Sequence, residues 1–76
     1  MMIERIRGLY WAKPFKPFTI HLADGRSLTV THPEFMAFSP TERYIFVFEA
    51  NGASHSVNLS LVTDVVAHAE AAEAKN

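Results

Sequence analysis

A chain of 76 residues has room for one domain, of a size that buries roughly 60% of its unfolded surface. Its 49% hydrophobic and 20% charged residues exclude disorder over most of its length, and the absence of cysteine excludes disulfides and thiolate zinc sites, leaving packing or self-association to supply stability. The formal charge of −1 excludes a general coat for nucleic acid, and no apolar run approaches the roughly 20 residues that cross a bilayer.

Residues 2–12 place Ile3, Ile6, Leu9 and Tyr10 three and four apart, the spacing of one apolar helix face. Pro14 and Pro17 end that helix, because each pushes the preceding residue toward extended geometry. The connector Lys13-Pro14-Phe15-Lys16-Pro17-Phe18 is stiff, and its two Phe side chains are expected to pin the helix onto the strands C-terminal to it.

From Phe18 the period changes to two. Phe18, Ile20 and Leu22 alternate with Thr19, His21 and Ala23, then Leu28 and Val30 alternate with Ser27, Thr29 and Thr31. Asp24-Gly25 between them predicts a two-residue hairpin turn with positive backbone angles. His32-Pro33-Glu34 predicts a bend in the second strand, which Phe35 to Phe38 continues. After the turn cluster Ser39-Pro40-Thr41-Glu42, Tyr44 to Phe48 is apolar on both faces, and Asn51-Gly52 predicts a second tight turn leading to a strand through Val57 and Leu59. Ser60-Leu61-Val62 predicts a one-turn connection, and Thr63 to Ala67 a last strand.

The expected architecture is mainly β (α+β): an N-terminal helix, about 2–12, followed by five antiparallel strands forming a small open barrel of Sm-like or SH3-like type. Residues 1–68 make the domain. Residues 69–76, rich in Ala and Glu without a large apolar anchor, are expected to be a flexible tail.

Two stretches, Pro14-Phe15-Lys16-Pro17-Phe18-Thr19-Ile20-His21-Leu22-Ala23-Asp24-Gly25-Arg26 and His32-Pro33-Glu34-Phe35, resemble a family of short bacterial proteins. These share a Pro-Phe-x-Pro-Phe-x-Ile-x-Leu-x-Asp-Gly-Arg pattern followed by His-Pro-Glu-Phe. The resemblance runs from about residue 4 to residue 66 and implies no activity, since its motif residues fall at a connector, a turn and a bend. The strand order also looks like the Sm-like RNA-binding barrels, which begin with a helix and carry an Asp-Gly turn between their first two strands. Those barrels place a Gly in the second strand, an Asp and Asn pair in the uridine-binding loop and Arg-Gly before the last strand. Here Leu28-Thr29-Val30, His32-Pro33-Glu34 and Leu61-Val62-Thr63 stand near those places, so the base-binding residues are not carried over.

Chemical signatures are sparse. His21, His32, His55 and His68 are imidazoles, but no pair has the three-to-five spacing of a helical metal site, so no metal or cofactor is expected and these are read as solvent-facing. His32 and Glu34 flank a proline, where they are expected to satisfy backbone groups at the bend rather than move protons. The serines lack a nucleophile-elbow context and the three glycines form no phosphate loop, so no catalytic residue is expected and the chain is read as not an enzyme.

Two surfaces remain. If Ile45 and Val47 face the core, Tyr44, Phe46 and Phe48 face outward, or the reverse; an outward row would suit a protein partner or a homo-oligomer unless the helix covers it. Arg5, Arg7, Lys13 and Lys16 make the first segment basic, and Lys13 and Lys16, interleaved with Trp11, Phe15 and Phe18, offer an alternative platform for single-stranded nucleic acid. Met1-Met2-Ile3-Glu4-Arg5 lacks the apolar stretch of a signal peptide, so the expected compartment is the cytoplasm, with no membrane association.

Overall fold

The alternation beginning at Phe18 becomes sheet. In a computed structural model, which describes residues 2–68, helix α1 (Met2–Tyr10) precedes strands β1 (Phe18–Leu22), β2 (Ser27–Val30), β3 (Met36–Phe38), β4 (Tyr44–Phe48), β5 (Ser54–Asn58) and β6 (Val62–Ala67). They form two antiparallel three-stranded sheets, the first in order β2-β1-β6 and the second β3-β4-β5. The fold is therefore mainly β with one α-helix among the described residues. The tail expected at 69–76 lies outside them.

The expected five strands are six, and the sheets do not close into a barrel. Pro33 explains the difference. Lacking an N–H, it cannot continue a ladder, and it opens a one-turn 3₁₀ helix, Pro33–Phe35, in which the Phe35 N–H donates to the His32 carbonyl at 3.0 Å. The chain leaves that turn in the other sheet, so Met36 to Phe38 pairs with β4 instead of prolonging β2. His32 and Glu34 do not satisfy backbone groups there with their side chains. The His32 carbonyl accepts the turn's hydrogen bond, while its ring meets Phe35 edge-on at 5.6 Å.

Both predicted reversals exist, but the first has a different form from the one expected. Leu22 and Arg26 close a three-residue loop, with Leu22 N–H to Arg26 C=O at 2.9 Å and Gly25 N–H to Leu22 C=O at 3.0 Å. Only Gly25, at φ 93°, is left-handed, so this is an ordinary turn followed by a glycine bulge. Asp24 favours that form because its Oδ1 accepts the Arg26 N–H at 3.0 Å. The β4–β5 loop repeats the design: Gly52 has φ 97° and Asn51 Oδ1 accepts the Ala53 N–H at 2.9 Å. In the β3–β4 loop the left-handed position is held by Glu42, at φ 62°, whose N–H donates to the Ser39 carbonyl at 3.0 Å.

The two sheets and the helix share one core. Phe18, Ile20 and Val30 from the first sheet, Ile45 and Val47 from the second and Ile6 from α1 are all essentially sealed from solvent. Each such side chain contributes about 1.5–3 kcal/mol of transfer free energy. Helix α1 ends at Tyr10, two residues earlier than expected, although the Trp11 N–H still donates to the Arg7 carbonyl at 3.0 Å. Three of the four residues of its predicted face are docked: Ile6 is buried, and Leu9 and Tyr10 pack against the core, whereas Ile3 lines an open groove. Phe15 also packs there, 5.9 Å from the Phe18 ring, as a connector that pins the helix requires.

Candidate interaction surface

Strand β4 lies in the middle of the second sheet, and its register divides its apolar residues between two faces. Ile45 pairs with Phe38 and Val57, and Val47 with Met36 and His55, so these side chains share the inner face. Ile45 and Val47 are buried. Phe46 pairs with Ala37 and Ser56, Tyr44 with Asn58 and Phe48 with Ser54, which puts the aromatic row on the outer face among small neighbours. Tyr44 and Phe48 keep 43% and 40% of their surface exposed, and Phe46 between them is half-buried.

The helix is engaged elsewhere. Tyr10 meets the Phe38 ring edge-on at 5.2 Å, and Arg5 donates from Nη2 to the Val65 carbonyl of β6 at 3.3 Å. Helix α1 therefore bridges the mouth between the sheets and leaves the outer face of β4 open. At the Tyr44 end this face runs into a groove of about 590 Å³ lined by Met2, Ile3, Arg43, Tyr44 and Leu59. The sequence offered no signal for that groove, because its walls come from three segments distant in the chain.

The four basic residues do not form one patch. Arg5 is spent on the β6 carbonyl, and Arg7 pairs with Glu42 while its guanidinium lies 6.0 Å from the Phe38 ring centre. Lys13 and Lys16 are exposed and make no ion pair among the described residues. Lys13 stands beside Trp11, which is 63% exposed, in another, smaller groove with Tyr10, Phe15 and Pro33; Lys16 is not part of that lining. Phe18, by contrast, is core and cannot serve a platform.

The histidines are scattered but not all solvated. His68 Nε2 lies 2.7 Å from Thr19 Oγ1, which in turn bonds Thr29 Oγ1 at 2.9 Å across the first sheet. His55 Nε2 bonds Glu49 Oε2 at 2.6 Å, a pair that their spacing of six residues did not suggest. Ser27, His21 and Asp64 stand in one row across β2, β1 and β6, and no hydrogen bond joins their side chains. Among the described residues no group of three or more His, Asp or Glu is placed to hold a metal ion, and no helix is long and apolar enough to cross a membrane. No protein-family model, curated protein or solved structure matches the chain.

Proposed function

We propose that this chain is a small noncatalytic interaction module that docks another protein on the outer face of its second sheet. The observation that carries the reading is the half-open aromatic row of β4, Tyr44, Phe46 and Phe48, left uncovered while helix α1 is committed to β6 and Phe38. Aromatic side chains with two rotatable bonds bury large area at small entropic cost and dominate interface energetics. The flanking Ala37, Ser54 and Ser56 keep the surface low enough for a partner to reach the rings. In this reading the two sheets, with the chain bending between them at Pro33, form an open barrel of the Sm-like or SH3-like kind. Support comes from the strand order and the bend.

The test is photo-crosslinking inside cells, with a benzophenone amino acid placed at position 44 or 48 and, as control, at exposed Thr63 on the first sheet. Protein adducts from 44 and 48 but not from 63 are expected. Adducts absent from both, or equally abundant at 63, would refute the reading.

A second reading has one observation in its favour: unpaired Lys13 beside exposed Trp11, with unpaired Lys16 three residues on in the same connector, suits single-stranded nucleic acid. RNA affinity that falls steeply with salt and disappears in the Lys13→Glu, Lys16→Glu double variant would favour it over the first.

A further inference from the structure

The second sheet has an edge as well as a face. The hydrogen bonds flanking β4 and β5, Glu49 N–H to Ala53 C=O at 2.8 Å and Leu59 N–H to Arg43 C=O at 2.9 Å, fix which backbone groups point where. Residues 53, 55, 57 and 59 turn theirs toward β4, so Ser54 and Ser56 turn theirs outward. Those outward groups have no backbone partner among the described residues, and both serines are exposed.

The other edges are defended. On β6 the guanidinium of Arg5 occupies the Val65 carbonyl, the register is broken opposite His21 and Leu22, and α1 packs alongside. Strand β3 has three residues, and β2 runs into Pro33. Short strands, bulges, cations and prolines are the devices by which proteins prevent edge pairing. Strand β5, Ser54-His55-Ser56-Val57-Asn58, has none of them: no Lys, Arg, Pro or register shift over five residues.

We infer that β5 pairs antiparallel with β5 of a second copy of this chain, about a two-fold axis at Ser56, to give a continuous six-stranded sheet. This pairing rests on the interaction-module reading, sharing its sheet but not its face. The strand suits itself. Centring on Ser56 sets Ser56 opposite its own counterpart, Ser54 opposite Asn58 and His55 opposite Val57, so no like charges face each other and no bulky side chains collide. The outward groups at 54 and 56, with the Asn58 N–H, then meet their equivalents in about four new backbone hydrogen bonds, the Asn58 carbonyl belonging to the one-turn helix Leu59–Leu61 that it caps. A two-fold contact also closes, which a bare edge pairing with an unlike edge does not, and the Arg5 cap on β6 removes the nearest unlike candidate. On the outer face the two aromatic rows flank a serine-lined strip about 14 Å wide, at the usual strand spacing.

Sedimentation equilibrium of the full chain across micromolar to millimolar concentration is expected to give twice the 8.5 kDa chain mass. Ser56→Pro removes an N–H that the β4 ladder does not use, so it is expected to keep the fold while raising the dimer dissociation constant at least about 10-fold. The chain has no cysteine, so Ser56→Cys introduces a single thiol beside the axis and is expected to form a disulfide-linked dimer under mild oxidation, whereas Ser27→Cys on the first sheet is not. Should Ser56→Pro fail to fold, the cysteine pair still decides. A monomer at every concentration overturns the inference, as does a dimer that Ser56→Pro leaves intact or that Ser56→Cys does not cross-link. Phe48→Ser separates the two readings: it is expected to preserve the dimer while abolishing adducts from position 44.

Discussion

Ile6→Ala tests whether helix α1 belongs to the same cooperative unit as the sheets. Ile6 has no exposed surface and packs into the core with the strands of both sheets. Truncation to Ala removes three carbons, worth about 2.4 kcal/mol at roughly 0.8 kcal/mol each. The cavity left behind raises the expected cost to about 3 kcal/mol, within the usual range for such deletions. At roughly 0.05–0.15 kcal/mol per residue, a chain of 76 residues has about 4–11 kcal/mol in total. The variant should therefore stay folded in dilute buffer, with its melting temperature lowered by about 12–24 °C. Ile6→Val, which removes one carbon, should cost about 1 kcal/mol. Thermal melts followed by circular dichroism in the helix and sheet bands check both. A loss below about 1 kcal/mol for Ile6→Ala, or a helix signal melting apart from the sheets, would show that α1 is not docked; the open face of β4 would then need another explanation.

Three further expectations concern the loops. Gly25→Ala and Gly52→Ala should each cost about 1–2 kcal/mol in chemical denaturation, because a Cβ at either site meets no atom within 4 Å and the penalty is backbone strain at φ 93° and 97°. Glu42 is the converse case: Glu42→Gly and Glu42→Ala both lose the contact with Arg7, but only glycine releases the left-handed strain, so the glycine variant should be the more stable by about 1–2 kcal/mol. The Asp24 carboxyl is held below its ordinary value, first by the Arg26 backbone N–H and then by the Arg26 guanidinium. A lowered folded-state value means that its stabilisation is fully present above the unfolded carboxylate range and is lost as pH falls through the folded value. The melting-temperature gap between the natural chain and Asp24→Asn should accordingly be flat above about pH 5 and close in stronger acid; a gap that widens there contradicts the assignment.

Local pattern was enough for much of this molecule. The period-two runs at Phe18–Leu22 and Ser27–Val30, the glycines at 25 and 52 and the helical spacing of Ile6, Leu9 and Tyr10 are decided by residues a few positions apart, so they can be read along the chain. Whether Pro33 bends a strand or breaks it was not decided locally. The outcome rests on where Met36 to Phe38 finds a partner, and that partner is β4, beyond the next loop. The loop form at Asp24-Gly25 likewise depends on the side-chain bond to Arg26 as well as on the dipeptide.

The surfaces divide in the same way. That β4 carries large apolar residues on both faces is plain from Tyr44 to Phe48, but the sequence left open which alternate set is sealed. Tertiary packing chose Ile45 and Val47, because α1 is anchored on β6 and Phe38 and cannot also cover Tyr44 and Phe48. The same packing spent Arg5 and Arg7, which the sequence counted as a basic patch, on a strand carbonyl and on Glu42. Periodicity reports how a segment divides into two faces. Only the placement of the other segments fixes which face meets water and which edge is left without a neighbour.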